Sequence, residues 1–168
     1  FETVLNVKTD KEIQEAIYTV FRSRESERVK AYSSVQGMEQ SHQIAVVIML
    51  MVQSEISGVL FTADPITGSH TSMTGNFVYG LGEQLVSGEA NAYPFKLMRP
   101  KGKYEGPEDF KKYASELYKY AAKLVKELGY QQDIEWAVAK GKLYMLQARP
   151  ITTQKTGNLD TYELNDTL

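Results

Sequence analysis

A long amphipathic helix followed at once by a two-stranded hairpin constrains this chain more than any other feature of its sequence. Pro107, Glu108 and Asp109 indicate a helix start, because proline suits the first turn and acids suit the positive end of the helix dipole. Gly129 indicates the C-cap. Between them, over about five turns, helical spacing is kept by Phe110, Tyr113, Ala114, Leu117, Ala121, Leu124, Val125 and Leu128.

The hairpin consists of two strands of alternating polarity, at residues 133–139 and 142–148, around Lys140 and Gly141. On the first strand, one side carries Ile134, Trp136 and Val138 and the other carries Asp133, Glu135 and Ala137. The second strand carries Gln147 and ends near Arg149 and Pro150. How the two sides combine depends on the turn.

Two turn lengths are open from the sequence. A two-residue loop at 140–141 puts Glu135 away from Gln147, opposite the neighbouring Leu146. A three-residue loop at 139–141, with its glycine in the left-handed conformation, puts Asp133 opposite Gln147 and Glu135 diagonal to it. The three-residue loop would place Glu135, Gln147 and Arg149 on one face.

That face would suit phosphate chemistry. The carboxylate of Glu135 and the amide oxygen of Gln147 are hard ligands of the kind that Mg²⁺ takes up beside phosphate oxygens. The guanidinium of Arg149 could stabilise charge on a transferring phosphoryl group. The alternative is a surface hairpin in which Glu135 and Arg149 form an ion pair worth under about 1 kcal/mol.

Shorter runs predict the remaining elements. Residues 44–52 are a continuous apolar run and predict a buried strand. Three more strands are predicted at residues 58–63, 73–78 and 93–98, and a short strand at 1–7. Residues 101–106 predict a polar loop. A capping box at Thr9 and Glu12 predicts a helix from about Asp10 into the arginine-rich residues 22–28.

Composition narrows the functional classes. The formal net charge of −2 gives no electrostatic reason to expect nucleic acid or an anionic membrane as partner. The longest apolar run is shorter than the roughly 20 residues of a membrane-spanning helix. The chain has no cysteine and two distant histidines, His42 and His70, so cysteine-based sites are excluded and a histidine metal cluster is not expected. We expect a cytoplasmic protein.

Two loops carry residues with more than one interpretation. Gly80, Gly82 and Glu83 follow a predicted strand, where glycines allow close approach of a ligand or simply form a tight turn. Glu83 could accept ribose hydroxyls or act as a first-turn acid at a helix start. His70 lies in a loop rich in hydroxyl groups, and a lone loop histidine of this kind is usually solvated.

Four motifs in order resemble one family. They are SGVLFTADPITG at residues 57–68, YGLGEQLVSG at 79–88, QDIEWA at 132–137 and LQARPIT at 146–152. Together they closely resemble the N-terminal ATP-grasp region of phosphoenolpyruvate synthase, pyruvate phosphate dikinase and rifamycin phosphotransferase. The resemblance implies an α+β fold, an ATP-grasp lobe with a mostly antiparallel sheet flanked by helices.

The resemblance also implies site residues. In this family the glutamate and the glutamine of the last two motifs hold the metal on ATP, which implies Glu135 and Gln147 as Mg²⁺ ligands. The arginine contacts the phosphates, which implies Arg149 as the catalytic residue. Glu83 is implied at the ATP site. The cofactors implied are ATP and Mg²⁺.

The adenine hinge departs from the family pattern. Family members usually carry glutamine in a run such as V-I-Q-x-M, and Met49 stands at that position here. We expect adenine to bind through the backbone of Leu50 and Met51, with methionine packing on the ring.

The resemblance further implies that the reaction is shared among several domains. Residues 1–153 would be the C-terminal lobe of the nucleotide-binding domain, and 154–168 a linker. An N-terminal lobe would precede them, and a phosphohistidine carrier and an acceptor domain would follow. The implied reaction converts ATP, pyruvate and water to phosphoenolpyruvate, AMP and phosphate. The alternatives are part of a rifamycin phosphotransferase or a non-catalytic binding module, and the chain alone is expected to be inactive.

Overall fold

The computed structural model describes residues 2–25, 44–82 and 92–151. They fall into two compact units, Phe1–Met51 and Val52–Leu168, and each unit is described by itself. Glu83, the linker predicted at 154–168 and the C-terminal part of the arginine-rich stretch lie outside the described residues. None of the described helices is long and apolar enough to cross a bilayer.

The first unit contains helix α1, Asp10–Arg22, followed by a single 3₁₀ turn at Ser23–Glu25. The predicted capping box is confirmed: the Thr9 hydroxyl accepts from the Glu12 backbone at 3.3 Å, and the Glu12 carboxylate accepts from the Thr9 backbone at 2.9 Å. The Glu12 carboxylate also accepts from the Lys8 backbone at 2.8 Å. This bond, followed by the one from the Thr9 backbone, lowers the pKa of Glu12, because both stabilise the charged carboxylate. The strand expected at residues 1–7 is wrong, since residues 2–8 form no strand.

The strand predicted at residues 44–52 is also wrong. These residues form no strand, and Leu50 is 93% exposed. An apolar, β-branched run becomes a strand only when a neighbouring strand takes up its backbone hydrogen bonds. None of the described strands pairs with residues 44–52, so the apolar pattern alone does not produce a strand here.

The second unit is a six-stranded sheet in which all neighbouring strands are antiparallel. The strands are β1 Ile56–Phe61, β2 Ser72–Tyr79, β3 Tyr93–Met98, β4 Lys103–Glu105, β5 Gln132–Ala139 and β6 Lys142–Pro150. Their order across the sheet is β4-β3-β2-β1-β5-β6. The α+β prediction is therefore confirmed. The predicted strands that correspond to β1, β2 and β3, and the two predicted strands of the hairpin, are confirmed as well.

The loop predicted at residues 101–106 contains strand β4 instead. Lys103 pairs with Met98, so the intervening turn is short. Gly102 lies in this turn with φ +70°, a conformation that glycine adopts without strain. The polar composition that suggested a loop is tolerated because β4 lies at the edge of the sheet and its Lys103 and Glu105 are exposed.

Helix α2, Lys111–Leu128, covers one face of the sheet. A 3₁₀ turn, Glu108–Phe110, leads into it, and Gly129 ends it in the left-handed conformation at φ 81°. The Phe110 ring stacks on the Trp136 ring, with 4.6 Å between centroids, and both side chains are fully buried. Gly58 leaves room for this indole, because a Cβ there would collide with the Trp136 ring and the Asn76 carbonyl.

We expect Gly58→Ala to lower the free energy of unfolding by about 1–3 kcal/mol, because the added methyl group overpacks the core between two strands. Urea denaturation followed by Trp136 fluorescence measures this change. Ser115→Ala, on an exposed position of α2, is the control and should stay within about 0.5 kcal/mol of the unmodified chain. Equal stability of the two variants would show that the core accommodates the methyl group.

Candidate functional site

The turn of the β5–β6 hairpin has two residues. Ala139 pairs with Lys142, so only Lys140 and Gly141 connect the strands. Their φ angles of 50° and 73° are both left-handed, as a type I′ turn requires. The three-residue alternative is therefore wrong. Taken alone, this turn would put Glu135 opposite Leu146.

A bulge changes the register before the strands reach Glu135. Trp136 pairs with Met145, but Glu135 pairs with Gln147, so Leu146 is an extra residue on β6. Beyond it, Asp133 pairs with Arg149. The bulge, and not a longer loop, brings Glu135, Gln147 and Arg149 to one face. The predicted pairing of Asp133 with Gln147 is wrong, because Gln147 pairs with Glu135.

Arg149 lies at the centre of the resulting group of side chains. Its Nη2 donates to Glu135 Oε1 at 2.9 Å, and its Nε lies 3.7 Å from Asp133 Oδ2. With the Gln147 amide oriented so that its oxygen faces the guanidinium, that oxygen accepts from Nη2 at 2.8 Å and from Nε at 3.2 Å. We call Asp133, Glu135, Gln147 and Arg149 the hairpin cluster.

Asp133 is the member of this cluster to which the sequence assigned no role. The signal that could have found it is its spacing, since residues two apart on a strand point to the same side and Asp133 precedes Glu135 by two. It is also the most buried of the three charged groups: the side chain is 25% exposed, against 33% for Glu135 and 53% for Arg149.

The cluster carries negative charge that is only partly compensated. Burial raises the pKa of Asp133, Arg149 acts in the opposite direction, and the Glu135 carboxylate adds to the increase. A raised pKa means that the surroundings disfavour the ionised carboxylate. A cation beside it would relieve that penalty.

The donor set therefore fits a hard divalent cation. Two carboxylates and an amide oxygen face the same side of the hairpin, as oxygen ligands of Mg²⁺ require. Among the described residues, no three or more histidine, aspartate or glutamate side chains come together as a metal site. A metal here would consequently rely on the amide oxygen of Gln147 and on oxygens from a ligand or water.

The predicted adenine-binding residues belong to the first unit. Met49 and Leu50 are exposed, at 64% and 93%, and Met51 accepts from the Asn6 backbone through its sulfur at 3.3 Å. Met51 is thus bonded to Asn6 within the first unit, whereas the hairpin cluster lies within the second unit. Glu83 lies outside the described residues.

Comparison with known proteins gives consistent results over nearly the whole chain. A sequence profile described as "Pyruvate phosphate dikinase, AMP/ATP-binding domain" matches residues 1–111 and 108–166. The chain is 30% identical to a probable phosphoenolpyruvate synthase of Methanocaldococcus jannaschii, with 93% of this chain and 16% of that protein covered.

Other relatives are named for different activities. The chain is 32% identical to rifampicin phosphotransferase of Bacillus cereus, covering 90% of the chain and 21% of that protein. It is 30% identical to the prodigiosin synthesizing transferase PigC of Serratia marcescens, covering 92% of the chain and 20% of that protein. The chain thus spans about a fifth of the length of these relatives.

We expect Asp133→Asn to make the chain more stable at neutral pH. The folded-state pKa of Asp133 is raised, so the unmodified chain loses stability as pH rises through that pKa, whereas the asparagine variant has no proton to lose. The two chains should converge below the ordinary pKa of aspartate, about 3.9. Urea denaturation between pH 3 and pH 7 measures the free energy of unfolding of both chains. The prediction is contradicted if the variant loses stability relative to the unmodified chain as the pH rises from 3 to 7.

Proposed function

The chain belongs to the family of pyruvate phosphate dikinase AMP/ATP-binding domains, and we propose that its hairpin cluster holds the metal-bound phosphates of ATP. The observation that carries this proposal is the bulge at Leu146, which brings Glu135, Gln147 and Arg149 to one face. A regular ladder from the same turn would separate them. The bulge interrupts the regular pairing of β6 and places a group of oxygen ligands beside a guanidinium.

Glu135 and Gln147 would be the protein ligands of the metal, with Asp133 adding charge from the adjacent position. Held by Glu135 and Gln147, Mg²⁺ would offset the negative charge of the phosphates. Arg149 now donates to Glu135. With nucleotide present, we propose that its guanidinium donates to phosphate oxygens instead, because a planar fork suits bidentate contact with phosphate. Glu135 is then free to turn towards the cation.

We propose that Met49, Leu50 and Met51 receive the adenine. The exposed methionine and leucine side chains offer an apolar, adaptable surface for a purine ring. We propose that Glu83 binds the ribose hydroxyls, because it lies in the YGLGEQLVSG motif. The reducing, ATP-containing cytoplasm is the compartment that we propose for this chemistry.

For the complete reaction, we propose phosphoryl transfer of the phosphoenolpyruvate synthase type. ATP would give its β-phosphoryl group to a histidine on a carrier domain, and an acceptor domain would pass it to pyruvate. Residues 1–153 would act as the C-terminal lobe of the nucleotide-binding domain, and 154–168 as the linker. Support comes from the phosphoenolpyruvate synthases among the relatives. Similar identity to rifampicin phosphotransferase favours a rifamycin as the second candidate acceptor, and a non-catalytic binding module is the remaining alternative.

Titration with ATP in the presence of Mg²⁺ tests the hairpin cluster. We expect Glu135→Gln to weaken Mg·ATP binding by about ten-fold or more, because it replaces a charged ligand with a neutral one. The control is Glu105→Gln on β4, at the opposite edge of the sheet, which should bind like the unmodified chain. Isothermal titration with and without EDTA gives both affinities. Equal affinity of the two variants would remove Glu135 from the site.

We also expect the chain alone to release no AMP from ATP when pyruvate and Mg²⁺ are supplied, because the proposed histidine carrier is on another domain. Chromatographic detection of AMP measures this. Sustained AMP formation by the purified 168-residue chain would contradict the proposal that the reaction needs a carrier domain.

A further inference from the structure

The oxygen atoms proposed to surround the metal all face one guanidinium. Arg149 Nη2 donates to Glu135 Oε1 at 2.9 Å, and Arg149 Nε lies 3.7 Å from Asp133 Oδ2. The Gln147 amide oxygen, turned towards the guanidinium, accepts from Nη2 at 2.8 Å and from Nε at 3.2 Å. A single side chain therefore contacts every oxygen-bearing side chain of the hairpin cluster.

The pairing of the two strands holds these side chains within reach of one another. Glu135 pairs with Gln147, and Asp133 pairs with Arg149. The Cβ atoms of such partners are about 5 Å apart, and those of diagonal neighbours about 7–8 Å. The Arg149 side chain lies on the edge strand β6 and is 53% exposed, so a ligand can reach its guanidinium without opening the sheet.

A guanidinium and a divalent cation compete for these oxygens. Both are positive, and both need the lone pairs of Glu135 and Gln147. A cation that entered alone would have to break the bonds of Arg149 and would then lie beside a like charge. The phosphates of a nucleotide change this balance, because they offer new acceptors to the guanidinium and negative charge that offsets both cations.

We propose that Arg149 keeps the metal ligands of the hairpin cluster from binding a divalent cation until phosphates bind its guanidinium. This inference rests on the proposed function of that cluster, and it adds the order in which the site is filled. The bonds to Glu135 and Gln147 give the chain little affinity for the metal alone. When phosphates accept from Arg149 instead, these two side chains are released to the cation. Metal and nucleotide thus bind as one complex, and each raises the affinity for the other by the same factor.

A second ion pair at the opposite edge of the sheet provides the matched control. Lys103 Nζ lies 3.7 Å from Glu105 Oε1 on β4, and the two side chains are 79% and 51% exposed. Removal of this lysine releases a single carboxylate, whereas removal of Arg149 releases two carboxylates and an amide oxygen that face the same side. Both changes lower the net charge of the chain by one.

Binding of Mn²⁺ in the absence of nucleotide is the first test. Mn²⁺ takes the oxygen ligands that suit Mg²⁺, and electron paramagnetic resonance measures its free concentration. We expect Arg149→Met, which removes the guanidinium but keeps an unbranched side chain, to bind Mn²⁺ about ten-fold more tightly than the unmodified chain. Arg149→Lys, which keeps the positive charge, should bind it as weakly as the unmodified chain.

Two further variants locate the gain. It should disappear when Arg149→Met is combined with Glu135→Gln, which removes a ligand, and Lys103→Met should show none. An unchanged affinity in Arg149→Met would overturn the proposal, and so would a gain that survives Glu135→Gln. An equal gain in Lys103→Met would also overturn it, because net charge alone would then account for the effect.

The second test uses the unmodified chain. The ¹⁵N–¹H signal of Arg149 Nε, identified by its loss in Arg149→Lys, is expected to stay in place with Mg²⁺ alone and with adenosine, which has no phosphate. It should shift when ATP and Mg²⁺ are added together. A shift with Mg²⁺ alone would overturn the proposal, because the guanidinium would then yield to the metal without phosphates.

The two tests separate this inference from the proposed function. Binding of Mg·ATP without a shift of the Arg149 signal would overturn the release of Arg149 by phosphates. Absence of Mg·ATP binding would overturn the proposed function and the coupling of metal to nucleotide together. The Mn²⁺ affinity of Arg149→Met would still decide whether the guanidinium blocks the metal ligands.

Discussion

The extra residue in β6 is the constraint on which the candidate site depends. A strand has a side-chain period of two, so a shift of one residue exchanges its two faces. The type I′ turn at Lys140 and Gly141 fixes the pairing near the tip of the hairpin, and Leu146 then shifts it once. On the tip side of the shift, β5 and β6 follow the turn. Beyond it, Glu135 meets Gln147 and Asp133 meets Arg149.

The shift occurs at the step from Glu135 to Trp136, where the core and the cluster are adjacent in sequence. Trp136 points into the core, stacks on Phe110 and occupies the space that Gly58 leaves. Glu135 points to the opposite face and bonds to Arg149. The rigid packing of the indole therefore anchors the backbone from which the carboxylate projects. A site on such a strand keeps its geometry better than one on a loop.

The sequence predicted the elements well where periodicity and caps agree. Helix α2 was recognisable from its apolar spacing and Gly129, and α1 from Thr9 and Glu12. Periodicity could not reveal the bulge, because one extra residue leaves each half of β6 with a normal alternation. It also failed at residues 44–52, where the apolar run is present but a pairing strand is not among the described residues. The interpretation of His70 as merely solvated missed its contact with Gln131, which lies 61 positions away in sequence.

The exposed run from Val47 to Leu50 has a consequence for how the chain behaves in solution. Four consecutive apolar side chains, exposed by between 64% and 93%, carry no charge and no proline. Their backbone is not engaged in a described ladder, so it can template pairing with the same run of another molecule. Such self-association grows with concentration and with salting-out anions such as sulfate. During purification of the chain, aggregation through this segment thus competes with folding.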